Sequence, residues 1–217
     1  RGAADIGCCG GRRMKRLAAV LTLALLASPA FAFDDTPAPN LVIDITGAAN
    51  GQVIIDLAAD TAPQHAAQIM ALAKSGAYDG VIFHRVIDGF MAQTGDPKGT
   101  GQGGSELPDL KAEFNDTPHL RGTVSMARTN EPDTANSQFF ICFQPRFSLD
   151  KKYTVFGRVT SGMQFVDAIE RGEPPVNPST VAQASIASDN VAPPAFAAPT
   201  AAVAPEAAIT LDQLSGT

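Results

Sequence analysis

Phe83-His84-Arg85-Val86-Ile87-Asp88-Gly89-Phe90-Met91-Ala92-Gln93-Thr94-Gly95-Asp96 is the stretch on which the reading of this 217-residue chain turns. Its flanking apolar runs, Val81–Phe83 and Phe90–Thr94, read as adjacent strands. Strand alternation puts Val81 and Phe83 on one side with Arg85 and leaves His84 opposite. In the second strand Phe90, Ala92 and Thr94 share one face, and Met91 and Gln93 share the other. A guanidinium, a carboxamide and a thioether on neighbouring strands then converge on one patch. An apolar floor with two fixed donors suits an amide seated in an apolar side-chain pocket.

Outward from this stretch, short strands dominate. Leu41, Ile43 and Ile45 alternate with Val42, Asp44 and Thr46, and Val53, Ile55 and Leu57 repeat the pattern after Asn50-Gly51, which predicts a hairpin. Further strands are expected at Val81–Phe83, Phe90–Thr94, Gly122–Met126, Phe139–Phe143, Val155–Val159 and Val181–Ile186. Two segments read as helices. One is capped by Asp60 or Thr61, has Pro63 in its first turn and runs through Ala66, Ile69, Met70 and Ala73. The other spans about Gly162 to Ile169, with Phe165, Val166 and Ile169 on one side. A mainly β fold follows, and eight strands with two separated helices favour a closed antiparallel barrel with helices over its ends. Pattern alone does not separate that from a sandwich.

Both ends of the chain differ from this middle. Met14, Lys15 and Arg16 precede the apolar run Leu17–Leu26, and Ala30-Phe31-Ala32 follows Pro29. That is the form of a secretory signal over residues 14–32, cleaved after Ala32, and the run is about half the roughly 20 residues that span a bilayer. Residues 1–13 read as upstream of the true start. Cleavage removes Arg1, Arg12, Arg13, Lys15, Arg16 and Asp5, which takes the net charge from −6 to −10. So acidic a protein repels phosphate backbones, and nucleic acid is excluded as a partner. Cys8 and Cys9 leave as well, so Cys142 stands alone and is read as a buried small hydrophobe. In a diderm bacterial host the address is the periplasm, with no stable membrane insertion after cleavage. Residues 33–39 form a short linker, and 189–217 are an Ala/Pro-rich tail with few large side chains to bury.

Two further blocks complete the pattern: Gly122-Thr123-Val124-Ser125-Met126-Ala127-Arg128 with Asn136-Ser137-Gln138-Phe139-Phe140-Ile141, and Leu149-Asp150-Lys151-Lys152-Tyr153-Thr154-Val155-Phe156-Gly157. Together with the opening stretch, in this order and spacing, they resemble the signatures of cyclophilin-type peptidyl-prolyl cis/trans isomerases over residues 40–188. The resemblance implies an eight-stranded antiparallel barrel with two helices. It implies that Arg85 is catalytic and that Gln93 orients the substrate carbonyl. It places Phe90, Met91, Phe140 and Leu149 in a proline pocket with Tyr153 at the edge. The backbone of Ala127 and Arg128 would hold an extended substrate, and Thr100, Gly101 and Gln138 would line a neighbouring subsite. No metal or cofactor is implied, and the partners are unfolded or partly folded proline-containing polypeptides met by a monomer.

Several positions depart from the family's eukaryotic members. Ser148 stands where many of these carry Trp, and the chain has no Trp at all. Because that Trp contributes to cyclosporin binding in the family, weak inhibition by the drug is expected. Tyr153 replaces a usual His, Arg128 a frequent Asn, and the loop from Thr129 to Asn136 is one residue longer.

Competing motifs fail on context. Gly99-Thr100-Gly101-Gln102-Gly103-Gly104 fits G-x-G-x-x-G but follows Asp96-Pro97-Lys98 rather than a strand, and Pro108 interrupts the helix that should come next. His65, His84 and His119 lie in separate segments, so nothing in the sequence supports a metal site; His84 is read as supporting its strand by hydrogen bonding. A proline-peptide binding module or chaperone without turnover is the alternative function. Arg85 favours the enzyme, because binding alone does not require it.

Overall fold

Leu41, Ile43 and Ile45 build the buried face of β1 (Asn40–Thr46), and Val53, Ile55 and Leu57 that of β2 (Gly51–Leu57), in the antiparallel hairpin that the alternation predicts. The structure, a computed structural model, describes residues 39–187. Signal-like residues 14–32, the upstream residues 1–13, most of the linker and the tail from 189 lie outside the described residues. After the hairpin come α1 (Pro63–Lys74), β3 (Arg85–Ile87), β4 (Met91–Thr94), β5 (Thr123–Met126), β6 (Phe139–Cys142), a 3-10 turn (Phe147–Leu149), β7 (Val155–Ser161), α2 (Met163–Asp167) and β8 (Thr180–Ile186).

Among the described residues the eight strands form one curled antiparallel sheet in the order β3-β4-β6-β5-β7-β2-β1-β8. Its concave side is the main core, where Phe83, Phe139, Phe156, Met126 and Ile141 join the hairpin's aliphatics. Phe139 meets Tyr78 and Phe156 edge-on, at centroid distances of 5.7 and 5.9 Å. A bulge at Ala182, which no β1 residue faces, shifts β8 so that Val181 and Ala184 both turn inward.

The sheet differs from the expected closed barrel at its ends. Among the described residues no ladder joins β3 to β8; Ile82 bridges Thr180 singly, and Phe83 N donates to the Ser179 carbonyl at 2.9 Å. The expected strand at Val81–Phe83 is therefore a bridge, and the ladder with β4 begins only at Arg85. β3 is three residues long, and its edge away from β4 is met at Val86 by Gly172 rather than by β8.

The helices also differ from expectation in detail. Neither Asp60 nor Thr61 caps α1: Ala62 occupies the N-cap, and the Glu113 carboxylate, far away in sequence, accepts from the N–H groups of Gln64 and His65 at 3.1 Å each. Helix α1 packs on β8 and β7, and α2 on β2. α2 ends at Asp167, two residues earlier than expected, although Val166 and Ile169 are both buried.

Candidate active site

Strand pairing puts Arg85 opposite Gln93, Gln93 opposite Phe140, and Phe140 opposite Ser125, a single row across β3, β4, β6 and β5. The next row outward runs Ile87, Met91, Cys142. Because side chains alternate, these residues face away from the core that Val86, Ala92, Ile141 and Val124 fill. On this outer face Met91, Phe140 and Cys142 form a second, smaller apolar cluster, covered in part by Ile87, Phe90, Ala127, Leu149 and Tyr153. Burial within it pushes the Cys142 thiol up to about 12, which leaves the sulfur neutral and unreactive.

Aromatic contacts shape the cluster's rim. Tyr153 meets Phe140 edge-on at 5.8 Å, and the Arg128 guanidinium lies 4.6 Å over the Tyr153 ring. Arg128 also donates to the carbonyls of Lys152, Thr129 and Asn130, so its side chain serves as a clamp on the third sequence block. Across the rim Arg146 lies 5.2 Å over Phe90 and donates to the Gly89 carbonyl at 2.7 Å. Leu149, in the 3-10 turn, comes from the same segment.

The polar side of the site is a chain of hydrogen bonds. Gln93 Nε2 donates to Gln138 Oε1 at 2.8 Å, and Gln138 Nε2 donates to the Gly103 carbonyl at 2.7 Å. Gly103 belongs to a loop organised around Asp96, which is fully buried. The Asp96 carboxylate accepts from the N–H groups of Lys98, Thr100, Gly101 and Gly103 and from the Thr100 hydroxyl. Burial alone would raise this carboxyl, but the backbone donors and the hydroxyl outweigh it and hold the pKa at about 2. The string that imitates a dinucleotide loop thus wraps a carboxylate of its own protein. An open cleft of about 370 Å³ lies beside it, lined by Gln93, Gly101, Gly103, Ala127, Arg128 and Gln138 among others.

A buried chain runs beneath Phe140. His119 stacks on the Phe140 ring at 6.3 Å and bonds Asp150 through Nδ1 and Ser125 through Nε2, both at 2.8 Å. Ser, His and Asp are connected here as in a nucleophile triad. Ser125 and His119 are both fully buried, so no acyl group can reach the hydroxyl, and the chain instead braces the pocket floor.

The structure brings together most of the residues that the sequence singled out and corrects several readings. Phe83 is in the core while Arg85 is on the outer face, because the chain leaves strand geometry between them. Phe90 lies in the turn before β4 and joins Met91's cluster rather than the face of Ala92 and Thr94. Among the described residues neither ring nitrogen of the buried His84 has a hydrogen-bond partner, so it does not support its strand in that way. Burial lowers its pKa, and the neutral ring packs against the Gly101 backbone. Thr100 spends its hydroxyl on Asp96 and is not in the lining of the cleft, whereas Gln102 is. The Ala127 N–H is already given to the Gln138 carbonyl at 2.9 Å, which leaves its C=O for an extended partner. Sequence reasoning missed Asp96 as the loop's organiser, His119 beneath Phe140, and Glu173, which accepts from Arg85 Nε at 3.3 Å. For Asp96 the signal was present, an acid directly before a glycine-rich loop. For the other two, no local pattern marks the contact.

A family model described as cyclophilin type peptidyl-prolyl cis-trans isomerase/CLD matches residues 42–190. A probable peptidyl-prolyl cis-trans isomerase of Brucella suis biovar 1 (strain 1330) is 48% identical over 156 residues, covering 64% of this chain and 80% of that relative. The crystal structure of a cyclophilin from Hirschia baltica superposes with a TM-score of 0.64 at 30% identity, over 72% of this chain and 76% of that one. A Cryptosporidium parvum cyclophilin type peptidyl-prolyl cis-trans isomerase, crystallised in the presence of the dipeptide Ala-Pro, gives 0.63 at 28% identity, over 68% of this chain and 98% of that one.

Proposed function

The chain belongs to the cyclophilin-type peptidyl-prolyl cis-trans isomerase family and is an enzyme of that class, and from that premise we propose how its outer face turns an X–Pro bond. The observation that carries the reading is the second apolar cluster, set apart from the core, with Arg85 and Gln93 as register neighbours along its edge. A proline ring fits against Met91, Phe140 and Leu149, with Tyr153 and Phe90 at the rim. Ala-Pro, the dipeptide present with the Cryptosporidium relative, carries an X–Pro bond of that kind.

Amide resonance sets a rotation barrier of about 18–20 kcal/mol, and uncatalysed exchange at proline takes roughly 10–100 s. As the bond twists, the proline nitrogen regains its lone pair. A donor aimed at that nitrogen then binds more strongly in the transition state than in either planar isomer, which is the condition for catalysis. Arg85 supplies this donor. Gln93, held by Gln138, presents its carboxamide to the substrate carbonyl, and the apolar floor fixes the ring while the rest of the chain turns. No covalent step enters.

The test is cis-to-trans exchange of a short X–Pro peptide with residues 33–217 and the Arg85→Ala variant. We expect fast exchange that drops at least tenfold in the variant, since a donor specific to the transition state is worth about a hundredfold or more. Exchange no faster than buffer would leave only the binding-module alternative. Unchanged activity in the variant would keep the enzyme and discard the role of Arg85.

The clients we propose are exported polypeptides that fold in the periplasm, and the support is the signal-like segment at 14–32. Cell fractionation and intact-mass measurement test this: a periplasmic, monomeric species beginning at Phe33 is expected, and a cytoplasmic species that keeps residues 14–32 would refute it.

A further inference from the structure

β3 is an end strand of the sheet and three residues long, so its outer hydrogen-bonding edge would be open and its side chains poorly held without a cover. Three consecutive residues cover it. Arg171 lays its guanidinium 4.3 Å over Phe143 and donates from Nε to Asp88, in the β3–β4 turn, at 3.3 Å. Gly172 exchanges both backbone hydrogen bonds with Val86, at 2.8 and 2.9 Å. Glu173 accepts from Arg85 Nε. A Cβ on Gly172 would stand 2.5 Å from the Pro175 Cα, so the chain must fold back tightly there. The backbone therefore delivers Glu173 to Arg85, though both side chains stay partly exposed.

The choice of nitrogen matters. Among the described residues this is the one hydrogen bond that the Arg85 side chain makes, and it occupies Nε, the inner donor. A guanidinium is planar, so holding Nε sets the plane in which Nη1 and Nη2 point, and both outer donors stay available. From this geometry we infer that Glu173 is a positioning residue: it orients the Arg85 guanidinium toward the proline pocket and does not touch the substrate. The inference rests on the isomerase reading above. The two side chains are 41% and 53% exposed, so the pair is screened and its effect on rate is severalfold, not orders of magnitude.

Two readouts on the full chain separate this role from a merely structural one. The first is the exchange rate with water of the Arg85 Nε–H proton, its NMR signal assigned by its loss in Arg85→Lys. It should exchange about threefold faster or more in Glu173→Gln than in the wild type, as expected for an exposed pair. The second is a double-mutant cycle. Glu173→Gln should lower kcat/KM on an X–Pro peptide by about three- to fivefold through kcat, with KM little changed, and should do nothing further in an Arg85→Ala background. Glu173→Asp, which withdraws the carboxylate by one methylene, gives an independent variant with the same expectation. An unchanged Nε–H signal overturns the inference, and so does an equal loss of rate with and without Arg85. If the wild type itself fails to speed exchange, the isomerase reading falls, and the Nε–H comparison still decides whether Glu173 holds Arg85.

Discussion

Phe139 and Phe140 are sequence neighbours that serve opposite faces of β6. Phe139 packs in the main core with Tyr78 and Phe156, while Phe140 floors the outer cluster over His119. Their truncation should separate stability from function. Phe139→Ala removes a fully enclosed ring and should cost about 3–5 kcal/mol in denaturant unfolding. Phe140→Ala should leave most of that stability and cost catalysis instead, with KM for a proline peptide raised at least about tenfold through lost burial of the ring. Equal unfolding losses for the two variants would contradict the division into two clusters. The same logic places Cys142 in the pocket floor, where its thiol is a packing group.

At the scale of elements, the loop from Asp96 to Gly103 is held by one carboxylate, and through Gly103 and Gln138 it holds Gln93. The Asp96 pKa is depressed from 3.8 to about 2, so its stabilising contribution is complete above the unfolded value. That contribution is lost as pH falls through the folded value. Protection of the Gly101 and Gly103 amides against hydrogen exchange, taken relative to their intrinsic rates, should therefore fall as pH is lowered from about 4 to about 2, beyond the change seen in β5 and β6. Protection that tracks those strands throughout would show that the carboxylate does not hold the loop. Asp96→Ala orphans several backbone donors at once and should destabilise the protein by about 1–3 kcal/mol while lowering kcat/KM. α1 shows the same device on a smaller scale, its first N–H groups taken by Glu113 rather than by a local cap.

For the whole molecule, the open seam is the feature that matters most. The central strands β6, β5, β7 and β2 are paired on both edges, whereas among the described residues no ladder joins β3 to β8, and Ile82, just before β3, bridges Thr180 singly. Such a seam has fewer hydrogen bonds to break, so sub-global opening should begin there. Native-state exchange should find the amides of Phe83 and Val181 opening at lower free energy than those of Val124 and Ile141. Uniform protection across all four would mean that the sheet opens only as one unit. Since Arg85 sits on β3, the seam and its cover at residues 171–173 are also where the fold meets the side chain that we propose as the donor.

Apolar runs and alternation in the sequence determined the strands other than β3, because a side-chain period of two needs only local sterics to be read. Alternation also determined the outer-face grouping of Met91 and Gln93, since β4 keeps that period throughout. The three blocks carried Arg85, Phe140 and Leu149 into one site by resemblance. Only tertiary structure decided the rest. Where regular geometry lapses, at Phe83-His84 and Phe90, parity counted along the chain gave the wrong face. The Glu113 cap, the His119 brace and the hold of Glu173 on Arg85 join residues 48, 31 and 88 positions apart. Contacts at such separations arise from the register of the whole sheet and leave no periodic trace in the segments that make them.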